Sequence, residues 1–422
     1  MSSSLRLFLP CAAGVEPWLA DEVHALTGLA GDDLLVGRGG VLLAASWRHA
    51  LQLNLHSRLA QRVLVRLAEA PYRQEQDLYD IASGIAWEMW FTTRQTFKVE
   101  VTAQHSPLKS LNFAALRIKD AVADRFRHKA GVRPDVETRW PDVRVHLHLT
   151  TETATVYLDT SGEPLFKRGW REDKGDAPLK ETLAAAMLAT SGWSEPGGGA
   201  AQGIPLYDPC CGSGTIAIEA AQIACGIAPG SLRRFGFEKL LPFQAHVWDA
   251  LRAEARAAEH APCAPVFGSD VAHRMVDFAQ RNAERAGVGQ SVQLRGGDAL
   301  QRMPPTETPG TMLLNPPYGE RIEAAGVAGR GAREPRPQLG REHALVDDGG
   351  EFFSRLASHW KKHYAGWTAW MLTPDMKLPS RMRLKESRRV PMWNGPIECR
   401  LFRFDMVRGA AREPRPPAPE HG

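Results

Sequence analysis

The run DPCCGSGT at residues 208–215 constrains this chain more than any other feature. It separates an apolar strand pattern, IPLYDP (204–209), from an apolar helical pattern, TIAIEAAQIA (215–224). Gly212 and Gly214 allow the backbone to approach a ligand closely. The unpaired N–H groups at the start of the following helix favour an anionic group such as a carboxylate. A GxG alone is a weak signal, but between a strand and a helix, with an acid at the strand end, it points to a nucleotide-like ligand. Pro209, Ser213 and Thr215 complete the candidate loop, and Asp208 suits a cationic amino group.

After the Gly-rich loop at 191–203 the chain alternates strand and helix patterns. APVFGSD (264–270) leads into AHRMVDFAQRNAERAG (272–287), VQLRGGD (292–298) into a loop, and TMLLNPP (311–317) into GEFFSRLASHWKKHYAG (350–366), with WTAWMLTP (367–374) following. Such alternation predicts an α/β, doubly wound, Rossmann-like parallel sheet. RRVPMW and PIECRLFRFDM flank Asn394-Gly395, a dipeptide suited to a type I′ hairpin. The layout is that of a class I methyltransferase domain with an antiparallel C-terminal hairpin.

The region before residue 165 reads as α+β. FKVEVTA (97–103), VRVHLHLT (143–150) and TATVYLDT (153–160) show strand periodicity. In the helical run from 111, Leu111, Ala115, Ile118, Val122 and Phe126 recur at three-to-four spacing, and Gly131 offers a stop. The net charge of +4 over 422 residues decides little. Two basic clusters are more informative: Lys109, Arg117, Lys119, Arg125, Arg127 and Lys129, then Lys377, Arg381, Arg383, Lys385, Arg388 and Arg389. Each is read either as a solvated face or as a phosphate-binding surface. The six cysteines form no CxxC pair or His-Cys group, so neither a metal nor a disulfide framework is expected. No stretch approaches the roughly 18 apolar residues of a membrane span, and the N-terminus is a poor secretory signal, so the expectation is a cytoplasmic chain.

The second decisive motif is NPPYGER (315–321), at the end of the fourth strand of the alternating series. An aromatic amino nitrogen has its lone pair delocalised into the ring, so modifying it requires acceptors that hold the NH2 and aim the nitrogen. The Asn315 side-chain oxygen and the Pro316 carbonyl supply two such acceptors. Pro317 completes the turn and Tyr318 can stack on a base. Asp270 and Asp298 end the second and third strands, where carboxylates can accept from ribose hydroxyls and from an adenine amino group. Each can equally be a turn or helix-capping residue.

Together DPCCGSGTIAIEAA, IAPG, FGFEK, GSD, NPPYGERI, KRGWREDKGDAPLKETLAA and MWNGPIECRLFRFD resemble the bacterial THUMP-domain class I RNA methyltransferases, often labelled adenine-N6 DNA methylases. The likeness spans about residues 5 to 408 and implies a ferredoxin-like piece at 1–60, a THUMP-like RNA-binding module at 61–165 and a methyltransferase domain at 166–408. It implies S-adenosyl-L-methionine as cofactor, with Asp208 on the methionine amino group, and transfer to guanine N2 of 23S ribosomal RNA or its precursor. Cofactor contacts fall on Asp208, Pro209, Gly212, Ser213, Gly214, Thr215, Asp270, Asp298 and Thr182. Lys109, Lys119, Arg125, Arg127, Arg168, Trp170 and Arg171 are the candidate RNA contacts. In the competing reading Trp170 is a junction core aromatic and LKETLAA an amphipathic helix. Residues 325–350 and 409–422, which share AREPRP, are expected to be loops. The fused relatives' second methyltransferase domain is not in the sequence, so a single activity is expected. Alternative functions are adenine-N6 methylation of DNA and a non-catalytic ribosome-assembly factor.

Overall fold

The computed structural model describes residues 4–175, 178–316 and 350–407. The first half contains β1 (Leu5–Pro10), α1 (Glu16–Thr27), β2 (Leu34–Gly37), β3 (Gly40–Ala45), α2 (Trp47–His56), β4 (Leu64–Pro71), α3 (Glu75–Ser83), β5 (Phe97–Ala103), α4 (Leu111–Ala130), β6 (Val143–Leu149) and β7 (Thr153–Asp159). These strands form one sheet in the order β2-β3-β1-β4-β7-β6-β5, antiparallel except for the β5–β6 pair. Strand β6 alternates: Val143, Val145, Leu147 and Leu149 are buried, while Arg144, His146 and His148 are half-buried. Helix α4 opens with the Ser110 hydroxyl accepting from the Phe113 N–H and closes at Gly131 in the left-handed conformation. Its buried stripe starts at Ala114; Leu111, expected on that stripe, is exposed because it lies in the first turn, beyond the edge of the packed face.

The second half contains α5 (Glu181–Thr190), β8 (Leu206–Asp208), α6 (Thr215–Ala224), α7 (Ala245–Ala257), β9 (Val266–Asp270), α8 (His273–Arg285), β10 (Val292–Gly296), β11 (Thr311–Leu314), α9 (Gly350–His363), β12 (Thr368–Thr373), α10 (Leu378–Met382), β13 (Arg388–Asn394) and β14 (Ile397–Asp405). Its sheet runs β10-β9-β8-β11-β12-β14-β13, with parallel pairing through β12 and antiparallel pairing of the last two strands. This is the class I methyltransferase fold. Chain direction through the sheet reverses at β8, whose neighbours are β9 and β11, so the loops after β8 and β11 diverge and leave a crevice between them.

Two details differ from the sequence reading. Helix α5 is not amphipathic: it is buried on nearly every side, because it lies between the two halves. In the hairpin, Asn394 pairs with Ile397, so the turn residues are Gly395 and Pro396. A type I′ turn needs positive φ at both central positions, which the proline ring forbids; Gly395 alone has positive φ.

The stretch after α6, which breaks the regular strand–helix alternation, is the junction with the first half, and it contains a helix, α7, that the sequence reading missed. The Gly230 N–H donates to the Leu55 carbonyl at 2.9 Å, and a Cβ at Gly230 would stand 2.8 Å from that oxygen, so only glycine fits. The Phe237 N–H donates to Thr160 O at 2.8 Å. The Arg233 guanidinium donates to the carbonyls of Ser161, Glu163, Pro164 and Lys167, and burial pushes its pKa down to about 10. Beneath these contacts lies an ionic cluster. Glu219 on α6, fully buried, accepts from Arg58 Nη1 at 2.8 Å and from Arg168 Nη2 at 3.0 Å. Burial pushes the Glu219 carboxyl up, but the two guanidinium groups, Arg168 first, outweigh it and hold the carboxyl below its ordinary value. One apolar cluster continues from Leu7 through Leu158 and Ala184 to Leu401, so the halves share a core. Among the described residues no helix is long and apolar enough to cross a membrane.

Removing one member of a buried ion cluster strands the other charges. Arg168→Met is expected to lower unfolding stability by about 3 to 5 kcal/mol, whereas Lys167→Met, at an exposed neighbour, changes it by less than about 0.5 kcal/mol. Urea denaturation of both variants checks this, and equal midpoints would refute it. Because the folded Glu219 pKa is depressed, its contribution is present above the unfolded carboxylate pKa and is lost as pH falls through the folded one.

Candidate functional site

Three strands end in a carboxylate at the same edge of the parallel sheet. Asp208 closes β8, 1% exposed, and accepts only the Cys210 N–H, at 3.1 Å. Among the described residues no cation pairs with it. Burial pushes its carboxyl well above the usual range, and the neighbouring Asp270 pushes the same way. Asp270 closes β9; one oxygen accepts from the Gly212 N–H and the other from the Ala272 N–H, both at 2.9 Å. Its pKa is also raised by burial, against the pull of those two bonds. Each Asp270 oxygen keeps a free lone pair, enough for a pair of hydroxyls. Asp298 follows β10, half-buried, with one oxygen accepting the Leu300 N–H at 2.9 Å, so the turn role and a ligand role coexist. Burial and then the charges of Asp208, Asp270 and Asp298 push the Cys210 thiol upward.

The glycine loop forms the floor. Gly212 has φ +52° and Gly214 φ +91°. A Cβ on Gly214 would press within 3.0 Å of Ala279 and Ile218, whereas one on Gly212 would point into open space, where a ligand has room. Thr215 starts α6, directing its first N–H groups toward the same edge. The loop is held from behind by Arg171, whose guanidinium donates to Ser213 Oγ at 2.9 Å, Thr215 Oγ1 at 2.8 Å and Glu181 at 2.7 Å. Asn282, buried on α8, donates to Ser213 O at 3.1 Å and Asp173 O at 2.8 Å. Thr182 lies buried in the first turn of α5, next to the Arg171 partner Glu181.

Asn315 and Pro316 leave the end of β11, across the crevice from Asp208. The Asn315 side-chain oxygen is buried and, among the described residues, accepts no hydrogen bond. A buried amide oxygen without a donor costs about 1 to 3 kcal/mol, an expense expected where a ligand supplies the missing donor. Pro317 and Tyr318, together with the 325–349 stretch and the tail from 408, lie outside the described residues.

Several candidate RNA contacts are placed elsewhere. Arg168 is 2% exposed and engaged with Glu219, and Trp170 is 1% exposed in the shared core, so neither can meet a macromolecule. Trp170 is the junction aromatic of the competing reading. Arg171 is spent on the glycine loop, as described above, and stacks on Trp170 at 4.9 Å. On α4, Arg125 forms a two-pronged pair with Glu88, Arg127 pairs with Asp124 and Lys119 with Asp120, so the helix is far less positive than its arginines and lysines suggest. Lys109 is exposed and has no ion pair among the described residues. The loop role of Arg171 carries no sequence signal beyond its proximity to KRGWR. Asn282 has one: a polar residue interrupting the Ala279, Ala283 and Ala286 stripe of α8.

Among the described residues, the space between the three strand ends thus offers buried negative charge unmatched by cations, a helix N-terminus and an unused amide acceptor. It suits a ligand carrying a carboxylate, a cation and vicinal hydroxyls, placed against a second molecule bearing an amino group.

Comparison with known proteins gives matches to the RlmL ferredoxin-like domain over residues 6–64, to the THUMP domain over 72–159 and to the RMKL-like methyltransferase domain over 168–330. The ribosomal RNA large subunit methyltransferase K/L of Psychromonas ingrahamii is 37% identical over 99% of this chain; the chain spans about half (52%) of that relative's length. The crystal structure of SMU.472 complexed with SAH superposes with a TM-score of 0.81 at 27% identity, covering 97% of this chain and 100% of that one. A Listeria monocytogenes protein described as a predicted N6-adenine-specific DNA methylase superposes with a TM-score of 0.78 at 26% identity, covering 95% and 96%. With ferredoxin-like, THUMP and methyltransferase segments following one another along a class I fold, the chain belongs to the THUMP-domain methyltransferases of the RMKL-like family.

Proposed function

We propose that this chain transfers a methyl group from S-adenosyl-L-methionine to the exocyclic amino nitrogen of a base, guanine N2, in large-subunit ribosomal RNA, and works in the cytoplasm. The observation that carries the reading is the buried Asn315 oxygen beside Pro316, without a donor among the described residues, across the crevice from three strand-end aspartates. The names of the relatives, the THUMP match and the SAH of the SMU.472 structure support it.

The residues fit the cofactor. Asp208 matches its cationic α-amino group, the α6 N-terminus its carboxylate, the free lone pairs of Asp270 its ribose hydroxyls and Asp298 its adenine amino group; Gly212 leaves the room. When bound, the cofactor supplies an electrophilic methyl carbon on a sulfonium. The protein's part is orientation. Asn315 Oδ1 and the Pro316 carbonyl would accept hydrogen bonds from the two amino N–H groups and hold the nitrogen in line with that carbon, the one proton displaced on methylation passing to solvent, while Pro317 and Tyr318 complete the motif and support the base. The Listeria relative's description favours a second reading, adenine N6 in DNA, to which the same acceptors would serve, so duplex DNA is assayed beside ribosomal RNA.

Asn315→Ala is expected to slow single-turnover methylation at least about 100-fold, about 2.7 kcal/mol of barrier, with cofactor and RNA affinities nearly unchanged. A folded variant transferring methyl groups at the wild-type rate would sink the mechanism. For the cofactor subsite, Asp270→Ala should weaken S-adenosylmethionine binding by about 1 to 3 kcal/mol, and unchanged calorimetric affinity would remove Asp270 from it. Asp208 adds a pH signature. Its pKa is raised in the free protein and a cation stabilises the ionised form, so binding releases a proton and affinity rises with pH as free Asp208 ionises. Titrations between about pH 5 and pH 8 in wild type and Asp208→Asn should differ in slope; parallel curves would exclude Asp208 as the counter-charge.

A further inference from the structure

Of the two basic clusters in the sequence, the second keeps more of its charge: among the described residues two of its six members are paired, against three of six in the first. Arg381 pairs with Asp375 at 3.1 Å, and Arg389 pairs with Glu386 at 2.5 Å and lies over the Phe402 ring. Lys377, Arg383, Lys385 and Arg388 are exposed, and among the described residues none has a carboxylate within ion-pair distance. On α4 Lys119, Arg125 and Arg127 are each compensated, while Lys129, like Lys109 before the helix, has no ion pair among the described residues.

Position is the second observation. Strand β12 runs parallel to β11 with Leu314 opposite Met371, so Thr373, the last residue of β12, ends level with Pro316. The segment after Thr373 therefore leaves the sheet at the edge that carries Asn315, beside the crevice, and rejoins it on the outermost strand at Arg388, which stands level with Arg403 and Trp370, about 10 Å below that edge. The Thr373 hydroxyl accepts the Asp375 N–H at 3.0 Å and an Asp375 oxygen accepts the Lys377 N–H at 2.9 Å, which turns the chain into α10 there.

Third, two of these residues are kept against local cost. Arg383 caps the C-terminus of α10 with φ +48° and ψ +40°, the left-handed conformation in which glycine is the unstrained choice. The backbone needs that conformation, since the Arg383 N–H donates to Ser380 O at 3.2 Å and its carbonyl accepts Lys361 Nζ at 2.9 Å, but neither bond needs an arginine side chain. Arg388 stands directly across from Arg403 in the β13–β14 ladder; Asp405 is spent on Arg403 at 2.9 Å, which leaves Arg388 facing a like charge with no carboxylate of its own among the described residues. Strained backbone at Arg383 and uncompensated charge at Arg388, where the chain leaves and rejoins the sheet, are costs of the kind found where side chains serve a ligand.

We propose that Lys377, Arg383, Lys385 and Arg388 form a ridge on the methyltransferase domain that binds the phosphate backbone of the RNA flanking the target nucleotide. The proposal rests on the reading of the chain as an RNA methyltransferase, and it gives the catalytic half its own share of RNA docking. Phosphate contacts by four cations fix register on the strand without reading its sequence, and leave base choice to the Asn315 loop.

The test uses the full chain, an in vitro transcript of large-subunit ribosomal RNA and titrations over a range of salt. Changing all four residues to glutamine is expected to lower the slope of log affinity against log salt by about 3, with S-adenosylmethionine affinity unchanged. Arg383→Gly alone separates ligand binding from folding. It should keep or raise the thermal midpoint while weakening RNA binding several-fold. A lowered midpoint with intact RNA affinity would make Arg383 structural and overturn the proposal, as would an unaltered salt slope in the quadruple variant. If the quadruple variant behaves as wild type while wild type methylates the RNA, only the ridge falls. If wild type transfers no methyl group to the transcript or to RNA from cells lacking the protein, the functional reading itself falls.

Discussion

Glu219 sits fully buried on α6 between Arg58 from the first half and Arg168 from the segment joining the halves. A lone carboxylate there would cost several kcal/mol, so both arginines must arrive for α6 to be placed. Helix α6 begins at the glycine loop, and its placement sets where Gly212, Gly214 and Thr215 present their N–H groups. Arg171, three residues after Arg168, then clamps Ser213 and Thr215. One short segment thus ties the position of the THUMP-bearing half to the geometry of the ligand loop.

The site is built from deficits. Among the described residues Asp208 is buried without a cation, Asp270 keeps one free lone pair on each oxygen, and the Asn315 oxygen lacks a donor. Each deficit costs the free protein stability and is relieved by a complementary ligand group, which is how a preformed site gains selectivity for it. The rigid core behind these residues, with α5 buried throughout, lets the strand ends hold their positions at that cost.

Much of the fold was legible because hydrophobic period and punctuation act locally. Helices α4 and α6 and strands β5, β6 and β7 stand where their apolar spacing and bounding residues place them, and the strand–helix alternation announced the parallel sheet. What failed was partner assignment. Arg168, Trp170 and Arg171 looked like an RNA-facing motif because charged and aromatic residues clustered, yet folding turns them inward against Glu219, the shared core and the glycine loop. Arg125 looked like free charge until α4 packed beside Glu88.

The sequence by itself singled out the candidate ligand loop, the strand-end aspartates and the Asn315-Pro316 acceptors, because each lies in a short motif whose chemistry is set by residue type and spacing. Only the tertiary structure decided which charges remain available. Compensation depends on carboxylates distant in sequence, such as Glu219, 51 positions from Arg168, and Glu88, 37 from Arg125. Periodicity carries no record of such pairings. The same physics left Lys377, Arg383, Lys385 and Arg388 without ion-pair partners among the described residues, while Arg125 of α4 found Glu88.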